Sequence, residues 1–181
     1  MADPDWSALY TLAASQDGYV TTAQAADAGY SRPLLAHHVT SGRLIRARRG
    51  VYRLRDFPAT EHEDLVIAWL WSDQRGVLTH ETALSLHGLS DVLPAQVDLT
   101  LPAVWRARRL KVPTLLRLHF ADIPEAERAW SGPVPVTAPL RTLADCVADH
   151  VQPDLIAQAA RDGLRRGLFT GPELATIGVF P

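Results

Sequence analysis

Apolar side chains stand at Trp6, Leu9, Tyr10, Leu12 and Ala13, the spacing of one helix face, and Gly18 ends that run. Tyr19-Val20 is long enough for a minimal strand, after which Thr21 or Thr22 caps a second helix, TAQAADAG, closed by Gly29. Ser31 is a good N-cap for a third helix reaching Ser41. Pro33 lies in its first turn, where a missing N–H costs nothing, and Gly42 stops it. The period then changes. Arg43 to Arg48 reads as a strand anchored by Leu44 and Ile45, Arg49-Gly50 as a tight turn, and Val51 to Leu54 as the returning strand. Three short helices followed by a two-stranded hairpin is the order of a winged helix-turn-helix.

The third helix can be given a face. At about 100° per residue, Leu35 and Val39 point the same way and should pack on the first two helices. His38 lies beside that pair and is expected half-buried. The opposite side carries Pro33, His37, Thr40 and Ser41, with Leu34 toward its edge and Arg32 at the start. Hydrogen-bonding side chains on the exposed face of such a helix are the usual readers of a major groove.

Past Phe57-Pro58-Ala59-Thr60, read as a linker, the pattern starts afresh. Thr60 and Glu63 have the T-x-x-E spacing of a capping box opening a helix to about Ser72, with LVIAWLW as its apolar body. Thr79 caps a helix over HETALSLHG, stopped by Gly88. Strands are expected at Gln96 to Leu101 (alternating Val97, Leu99, Leu101), Leu115 to Phe120 and Val134 to Thr137. A short helix is expected over IPEAERAW. Two more helices are expected at about Ala138 to Asp149, capped by Thr137, and from Pro153 or Asp154 to Arg166. Thr170 and Glu173 form a second capping-box pattern. The expected fold class is therefore α+β: a winged helix-turn-helix over residues 1–57, then a mixed α/β domain over 60–181 with a small sheet and flanking helices.

Charge changes the picture more than composition does. Seven arginines (Arg32, Arg43, Arg46, Arg48, Arg49, Arg53, Arg55) fall between residues 28 and 55, and no acid does. The remaining eleven basic residues lie after residue 58, outnumbered there by fifteen acids, although the whole chain is only -2. Cations concentrated on one small element are the footprint of phosphate binding. The Arg-rich tip of the hairpin suits a minor groove or a sugar-phosphate backbone. The candidate DNA contacts are Arg32, His37, Thr40, Ser41, Arg43, Arg46, Arg48, Arg49 and Arg53. A second basic patch, Arg106, Arg108, Arg109 and Lys111, lies between two expected strands, where a solvated loop is its default reading.

Other chemistry is sparse. A single cysteine, Cys146, excludes an intramolecular disulfide framework and a four-cysteine zinc site, and its apolar neighbours make it a buried thiol. His80-Glu81 begins like H-E-x-x-H, but Leu84 stands where the second histidine belongs. His80 and His87 could share a helix face, and without a third ligand in reach they read as structural. Neither a P-loop nor a G-x-S-x-G or G-x-G-x-x-G occurs, and the carboxylates show no paired spacing. Arg141 and Asp145, four apart on a helix, should pair. No cofactor, metal or catalytic residue is expected, and the protein is not read as an enzyme. The acidic start MADPDWSALY lacks a leader's apolar core, and no apolar run approaches the roughly 18 residues that span a bilayer. A soluble cytoplasmic protein is the expectation.

The run GYVTTAQAADAGYSRPLLAHHVTSGRLIRARRGVYRL resembles the winged-helix domain of AbiEi-type antitoxins of type IV toxin–antitoxin systems. LTHETALSLHGL, QVDLTLP and VPVTAPLRTLADCVAD are similar to the C-terminal half of the same group. The resemblance implies an antitoxin whose C-terminal domain counteracts a cognate nucleotidyltransferase-like toxin. Its N-terminal domain would repress its own operon at promoter inverted repeats in double-stranded DNA. It carries over to Arg32, His37, Thr40 and Ser41 on the helix and to Arg46, Arg48 and Arg49 on the wing. The chain lacks a nucleotidyltransferase-like G-S and D-x-D arrangement, so it is not read as the toxin. Some proteins with the later segments continue into a restriction-endonuclease-like tail, and this sequence ends at Pro181, short of one. The alternative is a stand-alone winged-helix regulator with a dimerising or ligand-sensing C-terminal domain. Oligomeric state stays open; a monomer that loads cooperatively on DNA is one arrangement the sequence allows.

Overall fold

The computed structural model describes residues 3–58 and 60–180. Ala59 of the expected linker, Met1 and Ala2 of the acidic start, and Pro181 lie outside the described residues. Two compact units divide the chain, Met1–Gln74 and Arg75–Pro181, and both mix helix with sheet. Among the described residues no helix is long and apolar enough to cross a membrane.

The first unit has the winged-helix order: α1 (Trp6–Ala14), β1 (Tyr19–Thr21), α2 (Thr22–Asp27), α3 (Arg32–Thr40), β2 (Leu44–Arg48) and β3 (Val51–Leu54). Asp5 caps α1 by accepting from Ala8 N–H, and Ser31 caps α3 by accepting from Leu34 N–H. Thr21, rather than Thr22, caps α2 in a complete capping box with Gln24. The minimal strand at Tyr19 pairs antiparallel with β3, which gives a three-stranded sheet in the order β1-β3-β2. Leu9, Ala13, Val20, Ala25, Tyr30, Leu35, Leu44 and Leu54 form the core, with Val39 and Leu34 packed against it. Gly18, at φ +84°, turns the chain from α1 into β1, and a Cβ there would stand 2.6 Å from the Phe57 ring.

A further helix, α4 (Glu63–Trp71), packs on β1 and β3 and so belongs to this first unit, which ends at Gln74 and not at the 57–60 segment. Its expected capping box does not form. The N-cap is His62, without a side-chain cap. Thr60 Oγ1 donates instead to Asp17 Oδ2 at 3.1 Å, and Glu63 pairs with Arg53 at 3.2 Å. Glu63 also hydrogen-bonds Tyr19, whose hydroxyl is pushed well above its ordinary range by burial and by that carboxylate. Tertiary partners outbid the local cap.

The second unit is built on a five-stranded mixed sheet in the order β6-β5-β4-β8-β7. Its strands are β4 (Val77–Leu78), β5 (Val97–Leu101), β6 (Leu116–Phe120), β7 (Arg128–Ser131) and β8 (Val134–Thr137). The helices are α5 (His80–His87), α6 (Pro139–Ala148), α7 (Pro153–Arg165) and α8 (Gly171–Thr176). Leu84, Leu89, Leu143, Cys146, Ala159, Ala160, Phe169 and Leu174 make their shared core. Cys146 is the buried thiol expected, raised to about 12 chiefly by burial. Three local expectations fail. IPEAERAW gives only a 3-10 turn (Glu125–Glu127) before continuing as β7, because pairing along β8 claims Arg128 to Ser131. Ala138, not Thr137, is the N-cap of α6, since the Thr137 hydroxyl bonds Thr142 Oγ1 at 2.7 Å. Finally, β5 is buried along its whole length, so the alternation of Val97, Leu99 and Leu101 does not mark a wet face opposite.

Candidate nucleic-acid interface

Three local choices build the interface. Ser31 and Pro33 start α3 so that Arg32 occupies its first turn. Leu35 and buried His38 turn that helix inward, leaving His37, Thr40 and Ser41 exposed. Gly50, at φ +81°, closes the wing, and its carbonyl accepts from Thr22 N–H at 2.8 Å and Thr22 Oγ1 at 3.3 Å. The wing tip is thereby fastened to the start of α2.

Arg32, Arg43, Arg46, Arg48 and Arg49 are all exposed, and among the described residues none forms an ion pair. Arg32, Arg46 and Arg49 line one open cleft of about 230 Å³ with Thr22, Gly50 and Tyr52. No carboxylate lines it. Three guanidinium groups between a helix start and a wing have the chemistry to hold a polyanion, since phosphate oxygens supply the acceptors and charge the cleft lacks. A register shift between Arg46 and Arg48 adds a bulge to β2, a device that re-aims side chains along a strand.

The remaining candidates divide. Arg43 lies over the Trp6 ring at 5.1 Å, which steadies its stem while leaving the charge in solvent. Thr40 Oγ1 donates to Ala36 carbonyl and Ser41 Oγ to His38 carbonyl, so both hydroxyls keep acceptor capacity. Arg53 stands apart from the others: it is half-buried and committed to Glu63 at 3.2 Å, away from the cleft. Arg55 donates to the Gly42 carbonyl. His38, buried against Trp6 and Tyr30, is held below its ordinary pKa by burial and by nearby Arg43 and His37. Sequence reading missed Thr22 and Tyr52 as parts of the cleft. The threonine's cap pattern was visible, but its contact with the wing is long-range.

In the second unit the basic residues Arg106, Arg108, Arg109 and Lys111 are exposed. Arg106 donates to the Phe120 carbonyl at 3.0 Å, and Arg108 lies 4.1 Å over the Trp105 ring. Arg141 pairs with Asp145 at 2.7 Å as expected, and with Glu127 too.

Residues 7–55, within the N-terminal unit, match the family model described as "Transcriptional regulator, AbiEi antitoxin". No curated protein matches the sequence. Among solved structures, the crystal structure of RV2827C protein from Mycobacterium tuberculosis is similar at a TM-score of 0.54 and 16% identity, over 96% of this chain and 70% of that one. At that identity the likeness is one of fold.

Proposed function

We propose that this chain is an AbiEi-type antitoxin and transcriptional regulator of the cytoplasm. Its first unit binds promoter inverted repeats in double-stranded DNA and represses its own operon. Its second unit counteracts a nucleotidyltransferase-like toxin encoded beside it. The observation that carries the DNA half is the cleft where Arg32, Arg46 and Arg49 converge without a carboxylate, next to exposed His37 and Thr40. In this reading the wing arginines hold phosphates and set the docking, while His37, Thr40 and Ser41 face base edges. The matched family is one of regulators and not an enzyme class, which supports a binding role for the first unit.

Salt dependence of binding to the promoter fragment tests the reading. With Arg32, Arg46, Arg48 and Arg49 on phosphates, log affinity should fall against log salt with a slope of roughly -4 per bound copy. Arg49→Ala should flatten the slope by about 0.9 for any DNA sequence, whereas His37→Ala should cost about 1–3 kcal/mol only at the base it reads. Arg53→Ala should leave the slope unchanged, because its guanidinium is engaged by Glu63. A slope near zero for the unaltered chain removes the DNA reading.

The family match stops at residue 55, and this favours a second reading: a stand-alone regulator whose second unit dimerises or senses a ligand. Growth rescue separates the two. Co-expression with the neighbouring nucleotidyltransferase-like gene should relieve arrest if the chain is an antitoxin and leave it untouched if it is not.

A further inference from the structure

The second unit holds a cluster that DNA binding does not use. His80, the first residue of α5, is buried and has a φ of +50°, a left-handed conformation that non-glycine residues adopt rarely and often at functional sites. His119 comes from β6, and the two imidazoles stack with centroids 3.7 Å apart and planes 16° from parallel. Asp149, the C-cap of α6, brings Oδ2 to 3.3 Å from His80 Nε2 and 3.0 Å from His119 Nδ1. One donor atom from each of the three residues lies within 4.8 Å of the others.

The outer side of each ring is held as well. His119 Nε2 is 3.0 Å from Oδ1 of Asp98, a fully buried carboxylate whose Oδ2 has no hydrogen-bond partner among the described residues. His80 Nδ1 bonds Thr79 Oγ1 at 2.9 Å, and that hydroxyl bonds Thr100 Oγ1 at 2.9 Å. A carboxylate only accepts, and both ring nitrogens of His119 face carboxylate oxygens at 3.0 Å, so a neutral ring, with its single N–H, satisfies one of them and turns a bare lone pair on the other. The cationic neighbours are engaged elsewhere: Arg117 by Asp98 and Glu81, Arg141 by Asp145 and Glu127. Lone pairs facing one another this closely need a proton or a metal ion between them. Asp149 also ends a helix, where the negative pole favours a cation.

We propose that His80 Nε2, His119 Nδ1 and Asp149 Oδ2 bind one divalent first-row transition ion of the zinc class. Two imidazoles and a carboxylate are a donor set suited to such ions. The Asp98–His119 and Thr79–His80 hydrogen bonds supply the outer support that orients metal-binding histidines. Asp149, half exposed, gives the ion a way in, and a pocket of about 330 Å³ lined also by Arg106 and Phe120 leaves room for an exchangeable ligand. The site is independent of the DNA reading.

Titrating the metal-stripped full chain with Co²⁺, followed by its visible absorption and by displacement with Zn²⁺, tests the proposal. One equivalent should bind and develop d–d bands. Asp149→Asn and His80→Ala should weaken binding by at least about 100-fold, and Asp98→Asn by about 10–100-fold. His37→Ala, in the other unit, should change nothing. Asp149→Asn keeps the test alive if His80→Ala does not fold, because its side chain is half exposed. Failure of the unaltered chain to bind one equivalent, or binding that survives Asp149→Asn, overturns the site. So does an NMR spectrum showing a His119 imidazolium shared between Asp98 and Asp149 in the presence of excess Zn²⁺.

Discussion

His38 follows an exposed neighbour, His37, and on a helix that single step of about 100° separates solvent from core. Its ring packs on Trp6 and Tyr30, and Nδ1 has no hydrogen-bond partner among the described residues. Burial, Arg43 and His37 all favour the neutral ring. In the unfolded chain the same ring takes up a proton near its ordinary value of 6.5. Stability from this group is therefore complete above 6.5 and is lost as pH falls through it, levelling only below the folded value. His87 is shifted in the same direction, chiefly by burial, and adds to the same acid loss. Denaturant midpoints should drop from neutral pH to about pH 5, and His38→Leu should shrink that drop. An unchanged drop would place the pH dependence elsewhere. The inward turn of His38 was legible from helical geometry alone. The company kept by His80 was not: spacing offered His87, whereas the ring touches His119 and Asp149, which strand pairing and a helix end bring from far along the chain.

Elements were legible where their signals were local and unopposed. Thr170 with Glu173 closes as the capping box its spacing announces, and Thr21, which the sequence left level with Thr22, closes one with Gln24, while Thr60 and Glu63 are drawn off by Asp17 and Arg53. The edge strand β7 was hidden for a similar reason, since EAERAW has good helix formers and only its partner β8 decides otherwise. Helix α7 gives a case where propensity predicts the wrong sign for a substitution. Replacing a mid-helix glycine by alanine ordinarily stabilises by about 1 kcal/mol. At Gly163, however, a Cβ would stand 2.1 Å from the Phe169 ring, a buried core residue. Gly163→Ala should destabilise the second unit by about 1–3 kcal/mol, the usual range for overpacking, as read from chemical denaturation. A gain in stability would mean that Phe169 moves aside freely.

At the scale of the whole molecule the chain forms two structural units, but the charge asymmetry of the sequence does not mark them: Glu61, Glu63, Asp64 and Asp73 fall in the first unit beside the seven arginines, and the second unit is balanced at eleven basic residues and eleven acids. The boundary was hidden as well. Phe57-Pro58 reads as a linker, yet α4 beyond it packs on β1 and β3 and supplies the carboxylate that pairs with Arg53. A fragment of residues 1–74 should unfold cooperatively and keep the DNA affinity of the complete chain. A fragment ending at 57 should be markedly less stable, because it loses the α4 packing on the sheet. Equal melting of the two fragments would show that α4 is dispensable to the first unit.

Strand β2 is an outer member of its sheet, so one row of its amide and carbonyl groups faces no further strand among the described residues. Such a rim is a template on which a second polypeptide can add itself and begin a fibre. Arg46 and Arg48 project from that strand, and a second copy approaching it meets like charge. The arginines proposed to grip DNA would thus also oppose edge-to-edge association, and exchanging Arg46 and Arg48 for apolar residues should raise the chain's tendency to aggregate as well as weaken the proposed DNA binding.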